Sequence, residues 1–406
     1  MIDATKLAEE LIEQSGGRIL LVVMDGVGDL PDATTGKTPL EAAKTPNMDS
    51  IAPECALGLA YAVGRGITPG SGPAHMSLFG YDPVETRIGR GVLEALGVGM
   101  EMGPDDLAFR CNFASLDGDG NVTDRRAGRI PTENNEELVA KLKAEIGTPE
   151  GCEVIFHSGL EHRFVAMLRR PGLSDRISET DPQATGVPPL PVQPLEETPE
   201  AELAAKCANA LVARVNEVLK DESPANTCLL RGPAKFPNIR PVKERFGLKA
   251  GAIAAYPMYR GLAQLVGMEV LDAGATLDDE FARLEASWKD YDYFFLHVKK
   301  TDSYGEDGNY DAKVHVIEEF DALLPRALAL SPDALVITCD HSTPVPMKGH
   351  SWHPSPFLLK GARAFADGHA RFTERNCRKG GLGHFPSLDA TALMLANASR
   401  LAKFGA

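Results

Sequence analysis

The chain has 406 residues, 43% of them hydrophobic and 24% charged, and a formal net charge of -15. Its length and ordinary composition fit two globular domains of roughly 100–200 residues each. A field of that sign repels nucleic acid and anionic lipid, so neither is expected as a partner. An anionic substrate would need local positive charge in its site.

Seven cysteines lie far apart without a CxxC pair, namely Cys55, Cys111, Cys152, Cys207, Cys228, Cys339 and Cys377. That argues for reduced thiols in a cytoplasmic protein and against a disulfide frame or a zinc ribbon. Residues Met1 to Lys6 carry no basic segment leading into an apolar run, so no signal peptide is expected. No apolar run reaches 18 residues, so no membrane span is expected either.

In chain order, residues 6–14 read as a short amphipathic helix. Ile19 to Met24 is an apolar run without alternation, the pattern of a strand buried on both faces, and it ends in Asp25-Gly26. Short helices are expected at 39–44 and 47–52. In Pro69-Gly70-Ser71-Gly72-Pro73, glycines flank a serine and let the backbone turn sharply. Taken locally, Ser71 reads as the N-cap of a helix over 74–79. The glycine-rich run 87–103 reads as a hinge. Strands are expected at 107–116 and 163–168, with the basic segment Asp124 to Arg129 between them. Residues 182–199 are proline-rich and read as an ordered loop. Residues 201–219 form an amphipathic helix. Buried-strand patterns return at 250–255, 293–298, 334–338 and 356–359, with helices at 279–289 and 310–328. Alternating β and α elements at both ends imply an α/β fold with one doubly wound, mostly parallel sheet. The expected core is 1–104 with 246–406, and residues 105–245 form a smaller inserted α+β domain.

Three apolar strands run into polar residues at their carboxyl ends, where sites form in open α/β sheets. Asp25 follows the first, Lys299 and Asp302 the second, and Asp340-His341 the third. Singly, an aspartate there is often the cap of the next helix. Together, Asp25, Ser71, Asp302, Glu306, Asp340, His341 and His350 are too many ligands for one ion and about right for two. His353 precedes a proline and reads as surface. Carboxylate and imidazole without thiolate suit divalent ions. Two ions roughly 3.5–4 Å apart are the usual device for in-line phosphoryl displacement, and a serine on one becomes a nucleophile.

Met24 to Asp29, Gly36 to Asp49, Gly70-Ser71, Ala74 to Pro83, Phe109 to Phe113, Asp124 to Ile130, His162 to Val165, Asp181-Pro182, Leu230 to Gly232, His297 to Lys299 and Thr338 to Pro344 occur in the order of a known family. The sequence resembles the archaeal-type 2,3-bisphosphoglycerate-independent phosphoglycerate mutases of the alkaline phosphatase superfamily. The resemblance implies an alkaline-phosphatase-like core with an inserted substrate-binding domain whose closure excludes water. It implies one metal on Asp25, Ser71, Asp340 and His341, and a second on Asp302, Glu306 and His350. It implies that Arg110, Arg126, Arg129, Arg163, Arg231 and Lys299 grip phosphate and carboxylate of a small anionic phosphorylated substrate. The implied reaction interconverts 3- and 2-phosphoglycerate through a phosphoserine on Ser71.

Two positions depart from the family's pattern. Glu306 stands where it usually has His, and Gly72-Pro73 follows the serine where it usually has Asp-Thr. A glutamate ligand makes a harder site that favours Mn²⁺ or Mg²⁺ over Zn²⁺, with Co²⁺ a further candidate. These departures also keep open a phosphohydrolase or homoserine-kinase-like phosphotransferase using the same Ser71, and a non-catalytic binding protein with a degenerate metal site.

Overall fold

The computed structural model describes residues 4–14 and 16–405. The chain forms two compact units, Met1–Arg87 with Ile239–Ala406, and Ile88–Asn238. In chain order the strands are β1 (Ile19–Met24), β2 (Ala56–Tyr61), β3 (Asp106–Leu116), β4 (Val122–Asp124), β5 (Glu153–Ser158), β6 (Arg163–Arg169), β7 (Thr227–Lys235), β8 (Ala250–Ala254), β9 (Glu269–Leu271), β10 (Tyr293–Val298), β11 (Ala334–Thr338), β12 (Ser355–Gly361) and β13 (Gly383–Pro386).

The first unit is built on an eight-stranded sheet in the order β13-β2-β12-β11-β1-β10-β8-β9. Every residue of β1 is fully buried, as a central strand covered on both faces must be. Leu20, Val22 and Met24 face the cluster that holds Phe281 and Leu284 of helix Leu277–Ser287 and Val316, Ile317, Phe320 and Leu324 of helix Tyr310–Ala329. On β10, Phe294 and Leu296 join that cluster, whereas Phe295 and His297 point to the other face and meet the rings of Phe79, His75 and Tyr259. The period-2 alternation of a strand therefore assigns each side chain to one of two helical layers. All pairs along β11-β1-β10-β8-β9 are parallel, and β12 alone runs against its neighbours β11 and β2.

The second unit holds β3 to β7 in an antiparallel sheet, with β3 between β6 and β7. Helices Thr132–Glu145 and Pro199–Leu219 cover one face through Val139, Leu142, Leu211 and Val215. Residues 182–198 have no helix or strand, but Asn209 brackets Val192 with two 2.9 Å hydrogen bonds and orders the loop.

Several boundaries differ from the sequence reading. The stretch 87–103 is not a simple hinge: Arg90–Gly97 is a helix of the second unit, which begins at Ile88 rather than at residue 105 and ends at Asn238 rather than at 245. Gly89 and Gly91 serve close packing, since a Cβ on Gly91 would lie 2.0 Å from the carbonyl oxygen of Ala108 in β3 and one on Gly89 2.3 Å from Ala234 Cβ. The first helix is Ala4–Glu10 and stops early because Ile12 bridges to Leu401 and Glu13 N–H donates to the Arg400 carbonyl. All seven cysteines are buried and free. No helix among the described residues is long and apolar enough to cross a membrane.

Candidate active site

The parallel register Val23↔His297 and Val23↔Thr338 brings the carboxyl ends of β10 and β11 to either side of Asp25. Asp302 lies in the first turn of helix Lys300–Asp307, after β10, and Asp340 and His341 follow β11. Asp25, Asp302, Asp340 and His341 are all buried. His341 Nε2 is 3.0 Å from Asp340 Oδ2 and 3.6 Å from Asp25 Oδ1. His350 Nε2 is 3.7 Å from Asp302 Oδ1, and the His341 and His350 rings stack with centroids 3.6 Å apart.

Two groups of side chains offer converging ligand atoms, all within 4.8 Å of one another: Asp25, Asp340 and His341, and Asp302, His341 and His350. Asp25 Oδ1 and Asp340 Oδ2 are buried and accept no well-directed hydrogen bond, although the His341 ring stands close to both. Buried carboxylate oxygens without donors are costly unless a cation satisfies them, so the donor set fits a pair of divalent ions. His341 belongs to both groups, whereas the resemblance assigned it to one. Glu306 belongs to neither: its half-exposed carboxylate stands 3.8 Å from His350 Nε2.

Ser71 is the first residue of helix Ser71–Leu78, and Gly70, not Ser71, is the N-cap. Gly70 has extended dihedrals and its carbonyl accepts from Ala74 N–H, which leaves the serine hydroxyl free of capping. Ser71 Oγ lies 3.2 Å from His341 Nε2. The turn before it is held by His350, whose Nδ1 is 3.2 Å from the Pro69 carbonyl. His75, one helical turn on, has Nδ1 2.9 Å from the Ser71 carbonyl and 3.3 Å from Asp340 Oδ2. Both are acceptors, so Nδ1 carries the proton. Burial pulls this imidazole down to about 4, and it is neutral at physiological pH.

The charges around this centre are strongly interdependent. Burial alone would lower the His341 value, but Asp340, then Asp25 and Asp302, push it up to about 9. Burial works to raise Asp340, yet the protonated His341 beside it holds it well below the usual carboxylate range. Lys299 Nζ donates to Asp25 Oδ2 at 3.0 Å and to Asp302 Oδ2 at 2.5 Å. Burial opposes its charge, and those two carboxylates hold its value above the ordinary lysine range. Protonated His341 and Lys299 are therefore the counter-charges of the aspartates in this structure.

In the second unit, Arg110, Arg126, Arg129, Arg163 and Arg231 line one cavity of about 230 Å³, together with Asn112, Glu161 and His162. Arg110 and Arg163 alternate with core residues on β3 and β6, and Arg231 is paired with Arg110 across β3 and β7. Nearby carboxylates compensate only part of this charge: Glu94 is 3.5 Å from Arg110, Glu161 4.0 Å from Arg129, and Asp181 3.2 Å from Arg231. Burial lowers the value of Arg110, Glu94 works against it, and Arg163, Arg231 and Arg90 lower it further. The cavity is thus a site of concentrated positive charge suited to an anion. The five arginines expected to act together do line one cavity. Lys299 is not among them and sits on Asp25 and Asp302 in the first unit.

A family model described as 2,3-bisphosphoglycerate-independent phosphoglycerate mutase matches residues 52–226. A relative from Thermus thermophilus described as "probable 2,3-bisphosphoglycerate-independent phosphoglycerate mutase" is 50% identical over 408 residues, covering 100% of both chains. One of the same description from Aquifex aeolicus is 51% identical over 98% of this chain and 99% of its own. The chain belongs to the 2,3-bisphosphoglycerate-independent phosphoglycerate mutases. The solved structure of a cofactor-independent phosphoglycerate mutase from Thermoplasma acidophilum matches 94% of this chain and 100% of its own, with 30% identity and a TM-score of 0.78. As a member of this mutase family the chain is an isomerase that interconverts phosphoglycerates.

Within the mutase fold, four side chains beside the site had no role in the sequence reading, although three of them lie inside its motifs. Tyr259 Oη donates to Asp25 Oδ2 at 2.6 Å, and its ring stacks on His297 with centroids 3.8 Å apart. His297 Nε2 is itself 3.5 Å from Asp25 Oδ2. Thr343 Oγ1 lies between Asp302 Oδ1 (2.7 Å) and His341 Nδ1 (3.1 Å), so it orients one ligand from each strand end. His75 is the fourth. The available signal was a histidine inside each of two apolar runs, where a ring needs a polar partner. Nothing in the local sequence of Tyr259 points to Asp25.

Proposed function

We propose that this chain interconverts 3-phosphoglycerate and 2-phosphoglycerate through a phosphoserine on Ser71. The observation that carries the reading is the 3.2 Å approach of Ser71 Oγ to His341, the residue common to both candidate metal groups. Two divalent ions on Asp25, Asp302, Asp340, His341 and His350, when bound, supply the positive charge that acidifies the serine hydroxyl and neutralises phosphoryl oxygens. The oxygen-rich donor set, with Glu306 alongside, favours Mn²⁺.

Ser71 Oγ attacks phosphorus as the ester bond to the substrate oxygen breaks, and the proton that Ser71 loses is made up on the leaving oxygen, which departs as a glycerate hydroxyl. The other glycerate hydroxyl then attacks phosphorus as the bond to Ser71 Oγ breaks, and the proton it sheds is made up on Ser71, which returns to its hydroxyl form. His75 grips the Ser71 carbonyl and keeps the first helical turn in register with Asp340. Lys299 lends its ammonium to the phosphoryl group from its place between Asp25 and Asp302. Arg110, Arg126, Arg129, Arg163 and Arg231 hold the anionic ends of the substrate. Gly72 brings no side chain to the reacting serine, and Pro73 needs no N–H partner there, which keeps the turn stiff without a polar neighbour.

A coupled assay supplied with Mn²⁺ tests the reading. Conversion of 3-phosphoglycerate to 2-phosphoglycerate by the wild type, and none by a folded Ser71→Ala, is the expected result. Release of inorganic phosphate or dependence on ATP would point to the hydrolase or transferase chemistry instead.

A further inference from the structure

Lys313 is fully buried in the first turn of helix Tyr310–Ala329. It occupies the apolar stripe of that helix, in phase with Val316, Ile317, Phe320 and Leu324, where a charge has no place unless it is paired. Its three donors are all used. Nζ donates to the Gly26 carbonyl at 2.8 Å, to Asp29 Oδ2 at 2.7 Å and to the Thr343 carbonyl at 2.9 Å. Gly26 directly follows Asp25 on the loop after β1. Thr343 stands two residues beyond His341 on the loop after β11.

Asp29 completes the clasp. Its two carboxylate oxygens accept from Val345 N–H at 3.0 and 3.1 Å, and Oδ1 also accepts from Leu30 N–H at 2.8 Å. The two loops touch directly as well, through Thr343 N–H to the Gly26 and Gly28 carbonyls at 3.2 and 3.1 Å. Gly26 N–H reaches Asp340 Oδ1 at 3.2 Å. Space here is tight: a Cβ on Gly26 would lie 2.4 Å from Thr343 Oγ1, and one on Gly305 2.4 Å from the Thr343 carbonyl oxygen. One ammonium, touching no ligand, thus closes a ring through both loops that carry the candidate ligands.

We infer that Lys313 is a positioning residue: clamped with Asp29, it fixes Asp25 relative to Asp340 and His341 and so sets the separation of the ligands. The inference rests on the reading that these residues hold a cation. Desolvating an ammonium is costly, and an apolar residue in the same stripe would pack at lower cost. The three bonds therefore point to a requirement for geometry over stability.

The test uses the full chain and Mn²⁺ alone, by calorimetric titration of wild type and of a Lys313→Met/Asp29→Asn double variant that leaves no lone buried charge. The double variant should unfold cooperatively and bind Mn²⁺ more weakly by roughly tenfold to a hundredfold, the range seen when a group supporting a metal ligand is removed. Its kcat should fall while KM for 3-phosphoglycerate stays near wild type. A merely structural lysine would lower the melting temperature and leave the Mn²⁺ affinity of the folded protein unchanged, and that result overturns the inference. If the double variant does not fold, Lys313→Gln is titrated with the same two outcomes. A wild type that binds no Mn²⁺ would sink the metal reading, and this inference with it.

Discussion

His341 belongs to both carboxylate–imidazole groups, and its charge state decides what either group can hold. Without metal its imidazolium persists up to about pH 9, because the three aspartates outweigh burial. A metal ligand must be neutral, so the first ion to engage His341 at pH 7 expels that proton. Mn²⁺ affinity should therefore rise with pH from 6 to about 9, with proton release measurable by titration in two buffers of different ionisation heat. The metal-free protein should behave oppositely in stability. A histidine raised from 6.5 to about 9 on folding stabilises fully below pH 6.5, and that contribution is lost as pH climbs through about 9. The melting temperature of chelated protein should accordingly fall over that window, apart from any other titrating group. Glu306 allows a separate prediction at this scale. Its carboxylate is 3.8 Å from His350 Nε2 and half-exposed, so Glu306→Ala should weaken one Mn²⁺ of two, by about 1 kcal/mol as for a partly screened contact. Loss of both ions would show that Glu306 has a larger role than its position suggests.

At the scale of elements, the legible parts were those with a single physical cause. Strands β1, β10 and β11 read as unbroken apolar runs because both faces are covered, and the polar residue ending each run marks the carboxyl end of the sheet. β2 escaped notice because Ala56-Leu57-Gly58-Leu59-Ala60-Tyr61 is poor in β-branched residues. Its Gly58 is needed there, since a Cβ would lie 2.8 Å from the Leu382 side chain. The run 87–103 read as a hinge because glycine signals both flexibility and close approach, and only the tertiary partner tells them apart. Gly91→Ala separates the two meanings. With the Ala108 carbonyl 2.0 Å from the new Cβ, the substitution should destabilise the second unit by about 1–3 kcal/mol, seen as a lower thermal midpoint. A neutral substitution would restore the hinge reading. The helix Ser71–Leu78 shows a subtler shift of one residue: moving the cap to Gly70 frees the serine hydroxyl that a capping role would occupy.

Across the whole molecule, a chain of net charge -15 concentrates five arginines around one cavity of about 230 Å³. That these arginines converge was not readable from their spacing. It depends on the pairing of β3 with β6 and β7, which the family resemblance supplied only by analogy. The two candidate ligand groups were more legible, because strand ends, Asp340-His341 and His350 carry their residues in the sequence itself. The resemblance grouped Lys299 with the arginines, and its contacts place it with Asp25 and Asp302, beside which it stands at a strand end in the sequence. If the arginine cavity holds the substrate, Arg163→Ala should raise KM for 3-phosphoglycerate by roughly tenfold or more, at ~1.5–3 kcal/mol for a charge-assisted contact, with a smaller change in kcat. KM should also rise with ionic strength. An unchanged KM would remove the cavity from substrate binding.

The most direct test of the account is to quench the Mn²⁺-loaded enzyme during turnover of 3-phosphoglycerate and map phosphoryl groups by mass spectrometry of its peptides. The account predicts a phosphoryl group on Ser71 in the wild type, and neither label nor turnover in a folded Ser71→Ala. Turnover without Ser71, or a label on a different residue, would contradict it.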